Sequence, residues 1–223
     1  MTCTPLRRAE HYALLSYLST APRSSRLSWA GLRIAGTMQI GGPRRPVHFQ
    51  PADTEQIGTL PGAGEAADLL FRIRGISFRC DAAVKRVDER NGGLYLDPAI
   101  IEWSVRGFRV GGVAFSMEPS EAMLRRPDGR PVRLPVLSIT DDEVLLLGWP
   151  VPRGLDAGGT YSAVVLLGEQ RIQGLQLELS GAQAVFTGST GRVVRAAVVA
   201  GSKEMSRAVL ALVQEPERRA VAG

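Results

Sequence analysis

The feature that most limits what this chain can fold into is its punctuation. Short runs of alternating apolar and polar residues recur along it, and turns bearing glycine or proline separate them. A period of two gives each run one face for a core and one for water. Strands at short, regular intervals with such turns argue for a barrel.

In the first half, a run opening at Leu32-Arg33-Ile34 ends at Gly41-Gly42-Pro43. Arg44, Arg45, Pro46 and Pro51 mark a loop that holds Val47-His48-Phe49 as a short strand. After Pro61-Gly62-Ala63-Gly64, residues 69–73 and 76–80 flank Arg74-Gly75 as a hairpin, with Phe71 and Ile73 on one face. Val84 and Val87 continue the sheet, Asn91-Gly92-Gly93 turns it, and Asp97-Pro98 ends it. In the second half, strands are expected at 108–117, 132–139, 144–149, 161–167, 172–179, 182–186 and 192–199. Arg126-Pro127-Asp128-Gly129 has the composition of a turn.

Helices are expected only at the ends. Thr4-Pro5 suits a helix start, and Leu6, Ala9, Ala13, Leu14 and Leu18 follow at helical spacing to about Ser19. Ser202 suits an N-cap, with Glu204 in the first turn and an apolar stripe of Met205, Val209, Leu212 and Val213 before Pro216. That stripe packs on the second barrel or on a second copy of the chain, which makes a homo-oligomer through this helix one expectation. The reading is therefore mainly β: two β-barrel domains with a short N-terminal helix and a C-terminal helix.

Composition narrows the function. Hydrophobic residues make up 44% and charged residues 22%, an ordinary globular balance. The net charge of +5 permits an anionic partner. The arginines are scattered, and aromatics at 6% supply little stacking surface, so nucleic acid is disfavoured as a partner. A basic two-barrel protein that binds RNA or DNA through its arginines stays open as a second class. Cys3 and Cys80 set up no disulfide framework, which fits a reducing compartment. With no apolar leader and no run long enough to span a bilayer, the expectation is a cytoplasmic protein without membrane insertion.

Catalysis finds little support. His11 and His48 fall on different elements, no Cys/His spacing suits a metal, and no nucleophile elbow occurs. Gly62-x-Gly64-x-x-Ala67 fits a loose dinucleotide pattern but lacks the preceding strand and following helix that the pattern needs. Asp141-Asp142-Glu143 reads as an exposed loop rather than a cation site. No catalytic residue, no metal and no cofactor are expected.

The remaining candidates lie near the middle: Trp103-Ser104-Val105-Arg106-Gly107-Phe108-Arg109-Val110, followed by Val136-Leu137-Ser138-Ile139-Thr140-Asp141. Together with the order of elements, the loop from Leu155 to Gly158 and the terminal helix, these make the second half resemble a PilZ domain, the bacterial receptor module for cyclic di-GMP. The whole chain, over about residues 10–220, resembles the two-domain YcgR type of flagellar brake. The resemblance implies an N-terminal split barrel in 1–102 and a six-stranded PilZ-like barrel with its helix in 103–223. It implies cyclic di-GMP as ligand, flagellar motor or switch proteins as partners, and a place at the flagellar basal body.

The family's ligand motif is Arg-x-x-x-Arg at the junction and Asp/Asn-x-Ser-x-x-Gly later. Arginine forks grip phosphate and stack on bases. By this resemblance Arg109 and Ser138 keep their positions, and Arg106 sits one residue late. Val105, Val136 and Asp141 stand where the first arginine, the acid or amide, and the glycine belong. A hydrogen bond to a charged group contributes about 1.5–3 kcal/mol. Losing two such contacts removes about 3–6 kcal/mol, or roughly two to four decades of affinity. The sequence reading is thus a degenerate PilZ adaptor acting by protein contact, with a receptor using Arg106, Arg109 and Ser138 as the alternative.

Overall fold

The computed structural model describes residues 4–43, 45–53, 60–88, 90–105, 107–116 and 119–214. They form two compact units. The first takes the chain through Ser104 together with Phe186–Ser189, and the second takes the remainder.

The first unit contains β1 (Thr4–Pro5), α1 (Arg8–Leu18), β2 (Arg23–Trp29), β3 (Leu32–Ile40), β4 (Val47–Pro51), β5 (Ala66–Ile73), β6 (Ile76–Asp88) and β7 (Gly93–Ser104). Six of these strands close into an antiparallel barrel in the order β7-β4-β3-β2-β5-β6, with β6 returning to β7. Alternation builds its interior. Ile34, Met38 and Ile40 of β3 point inward, as do Leu69, Phe71 and Ile73 of β5 and Ile76, Phe78 and Cys80 of β6. Phe71 and Phe78, paired in register, stack at 5.2 Å between ring centroids. The Phe78 ring also meets Phe186 edge-on at 6.3 Å. Two hairpins turn through paired positive φ values, Ala30-Gly31 (48° and 81°) and Arg74-Gly75 (52° and 83°). Such pairs match the right-handed twist of the flanking strands.

The N-terminal element differs from expectation. Thr4 and Pro5 are not a helix start; they form a short strand against Trp103 and Glu102 of β7. The helix begins at Arg8 and buries Leu14, Leu15 and Leu18, while Ala9 faces solvent. After the helix, β2 begins at Arg23. Asp97-Pro98 does not end a strand but lies inside β7. Pro98 pairs with Ala82 beside a register shift, the kind of place where a residue without an N–H fits a sheet.

The second unit contains β8 (Phe108–Val110), β9 (Val113–Phe115), β10 (Ser120–Arg125), β11 (Pro131–Ile139), β12 (Glu143–Gly148), β13 (Thr160–Leu167), β14 (Gln170–Ala184), β15 (Arg192–Ala200) and α2 (Ser202–Gln214). Its six-strand barrel runs β10-β13-β14-β15-β12-β11 and closes through β10 and β11. The expected single strand over 108–117 is instead a tight hairpin. Gly111 and Gly112, both at positive φ, turn β8 into β9. β10 was not expected, although Ala122 and Leu124 are fully buried in it.

The fold is therefore mainly β, with two closed barrels and a helix near each end. α2 packs on β14 and β8. It starts at Ser202 itself, after Gly201 at positive φ. Met205 and Leu212 enter the second core, Ala208 and Val209 pack against it, and Val213 remains 38% exposed. The stripe expected from the sequence is thus occupied largely within its own unit.

Two measurements test this packing. Truncating a buried Met to Ala costs about 2–5 kcal/mol, and Met205→Asp should cost more because it buries a carboxylate. At about 2–4 °C per kcal/mol for a chain of this size, melting of the second unit should fall clearly in circular dichroism; an unchanged transition would argue against the packing. Burial, aided by nearby Asp81, Asp68 and Asp97, pushes the Cys80 thiol up to about 12. Because only the thiolate reacts, a Cys3→Ser protein at pH 8 should alkylate roughly a thousandfold more slowly folded than in denaturant. Equal rates in the two states would contradict the buried thiol.

Candidate functional site on the second barrel

β11 sets the geometry. Its first half, Pro131 to Pro135, closes the barrel against β10, and its last two residues, Ser138 and Ile139, pair in parallel with Arg109 and Val110 of β8. The change of neighbour coincides with a β-bulge. Val136 lies opposite Leu146 and Ser138 opposite Leu145, so Leu137 is an extra residue in the ladder. A bulge bends a strand and re-aims its side chains. Here Val132, Leu134 and Val136 point into the core before it, and Leu137 and Ile139 are buried after it. Val136 is fully buried in the second core, whereas Ser138 is half-buried on the outer face. Without the bulge, a spacing of two would put these residues on one face.

The outer face carries a lateral row. Arg109 neighbours Ser138, Ser138 neighbours Leu145, Leu145 neighbours Arg195 of β15, and Arg195 neighbours Gly181 of β14. Arg109 is exposed, and its Nε and Nη2 donate to the Gly112 carbonyl oxygen at 3.2 and 2.8 Å, holding the fork over its own hairpin. Arg195 Nε lies 3.0 Å from Glu143 Oε2.

Acids crowd the end of β11. Asp141 and Asp142 are exposed, and Glu143 is half-buried. Thr140 organises the turn between β11 and β12. Its Oγ1 donates to Asp142 Oδ1 at 2.7 Å and accepts from the Glu143 N–H at 3.1 Å, while its own N–H donates to the Glu143 carbonyl at 2.8 Å. With Glu143 paired to Arg195, the exposed Asp141 and Asp142 give the turn after Ser138 a negative potential.

The site residues expected from the sequence are distributed as follows. Arg109 and Ser138 stand side by side. Val136 is on the opposite, inner face. Asp141 is at the solvent-exposed turn, and Val105 is half-buried in the coil that opens the second unit. Arg106 lies outside the described residues, as does Cys3. Gly107 has a φ of +67°, and an added Cβ would run into the Phe115 backbone, so only glycine fits. Arg86-x-x-x-Arg90 and Arg126-x-x-x-Arg130 share the motif's spacing, and one arginine of each is held by a structural contact. Arg126 Nη1 donates to the Arg153 carbonyl at 3.2 Å, and Arg86 lies 4.2 Å from the Tyr95 ring centroid. Gly62-x-Gly64 is a turn closed by Gly62 N–H on Glu65 Oε2, followed by a strand.

Thr140, Glu143 and Arg195 were not singled out from the sequence as a set. The motif spacing fits Ser138-x-Thr140-x-x-Glu143 as well as Val136-x-Ser138-x-x-Asp141. In the shifted register Thr140 supplies the hydroxyl and Ser138 takes the acid or amide position. Either way the acid or amide is absent and an acid replaces the glycine.

Solved structures of a similar kind exist. YcgR is among them. The chain is similar to Escherichia coli YcgR in complex with c-di-GMP at 13% identity and a TM-score of 0.37, over 93% of this chain and 91% of that one. It is similar to the K. pneumonia MrkH–c-di-GMP complex at 15% identity and a TM-score of 0.40, over 97% and 99%. It is also similar to the Bacillus subtilis inhibitor of motility MotI/DgrA at 10% and 0.36, over 88% and 98%. No family model and no curated protein matches. The barrel architecture above rests on the strand pairing itself. Among the described residues no group of three His, Cys, Asp or Glu side chains could hold a metal ion, and no helix is long and apolar enough to cross a membrane.

The inward aim of Val136 generates a test. Val136→Asp buries an unpaired carboxylate, and uncompensated buried charge costs on the order of 3–5 kcal/mol. The variant should unfold at lower urea than wild type and should gain no affinity for cyclic di-GMP. A stable variant that binds the nucleotide would show that position 136 faces outward.

Proposed function

We propose that this chain is a non-enzymatic regulator of the YcgR type, a two-barrel protein that acts by contact with another protein and binds cyclic di-GMP weakly or not at all. The observation that carries the reading is the outer face around Ser138. Among the described residues, Arg109 is folded onto its own hairpin and Arg195 is paired with Glu143, while Asp141 and Asp142 stand exposed beside them. The residue at the acid or amide position is either inside the core or a serine.

In this reading the domains are 1–102 and 103–223, and the partners are motor or switch proteins of bacterial flagella. The protein works in the cytoplasm, at the flagellar basal body. Those assignments follow from the sequence resemblance. Support for a non-enzymatic role is chemical: His11 sits on α1 and His48 on β4, where its ring meets that of Tyr95 at a tilt, 4.8 Å between centroids. No nucleophile–base pair is built around either among the described residues.

Isothermal titration with cyclic di-GMP decides between adaptor and receptor. Two decades lost from a micromolar site leave a dissociation constant weaker than about 0.1 mM, so no saturable heat is expected at ordinary protein concentrations. A constant near micromolar, abolished by Arg109→Ala, would establish the receptor instead.

A further inference from the structure

The first unit carries a cleft of about 310 Å³, unrelated to the face around Ser138. Arg8, His11, Tyr12 and Leu15 line it from α1, Arg45 from the loop between β3 and β4, and Asp97 from β7. Residues at i, i+3, i+4 and i+7 share one side of a helix, so this stretch of α1 turns one continuous wall to the cleft. Arg8 and Arg45 thus line the same cleft from different elements. Among the described residues, neither the Arg8 nor the Arg45 side chain has an ion-pair or hydrogen-bond partner. The one carboxylate in the wall is already engaged, with Asp97 Oδ2 3.1 Å from Lys85 Nζ.

We infer that this cleft binds a small organic phosphate, gripped by Arg8 and Arg45 and covered on one side by Tyr12 and Leu15. Arginine forks match phosphate oxygens bidentately. The volume lies at the small end of the range for ligand sites, which suits a phosphorylated sugar better than a polymer. Polar and charged side chains make up most of the lining, and Leu15, Pro43 and Pro98 supply the apolar part, a composition that suits a charged ligand. Partial burial holds the His11 imidazole below its ordinary pKa, and a bound dianion beside it would raise that value again.

The chain supplies its own reporters, because His11 and His48 are the two histidines of its 223 residues. His48 is not among the residues of the cleft. Imidazole resonances would be followed in NMR titrations with inorganic phosphate and with ribose 5-phosphate, at fixed ionic strength held by chloride. His11 should shift, saturate and titrate at higher pH, while His48 stays still. Ribose 5-phosphate should bind at least tenfold more tightly than inorganic phosphate. The double variant Arg8→Ala/Arg45→Ala should lose at least tenfold in affinity, and Arg109→Ala should lose none. The inference is overturned if His11 moves no more than His48, if the double variant titrates like wild type, or if the two phosphates bind equally. None of these outcomes depends on whether cyclic di-GMP binds the second barrel.

Discussion

Everything in this structure depends on closure. Each unit bends six strands until the last pairs with the first, β6 with β7 and β10 with β11. An open sheet exposes rows of unpaired N–H and C=O groups; closure removes them. It also forces a strict in-and-out alternation, because a slip of one residue would turn an entire strand's apolar set to water. Stacked pairs fill the two interiors, Phe71 on Phe78 and Phe108 on Phe115.

β11 shows how closure and chemistry compete for one strand. It serves β10 over one half and β8 over the other, and the extra residue Leu137 lies between. The bulge gives β8 access to the strand and inverts which residues face outward. The row from Arg109 to Arg195 exists only because of that inversion. Beside the row, at the end of β11, Thr140 ties Asp142 and Glu143 into a fixed turn.

Much of the fold was legible from alternation and turn chemistry. The Arg74-Gly75 hairpin, the strands around Val144, Tyr161 and Ile172, and the terminal helix with Met205 and Leu212 inward follow from local pattern alone. What failed had a non-local cause. Thr4-Pro5 has the composition of a helix start, but its backbone finds a partner in β7, nearly a hundred residues away. Asp97-Pro98 has the composition of a stop, yet a register shift lets β7 run through it. Of the site, Arg109 and Ser138 were legible, and their pairing was not, because it requires a parallel contact between distant strands. The inward aim of Val136 was hidden for the same reason: a bulge is a property of two strands, and the sequence of one does not display it. Arg195 needed the register of β12 against β15.

The first unit is not one uninterrupted stretch of chain. It includes Phe186–Ser189, and the ring of Phe186 lies against Phe78 and Tyr17. Ribosomes deliver residues in order, and domains that are continuous in sequence can finish folding as they emerge. All six strands of the first barrel have been made by Ser104, yet the ring that meets Phe78 and Tyr17 arrives only after β8 to β14. The contacts of Phe186 are therefore the last that the first unit gains as the chain is made.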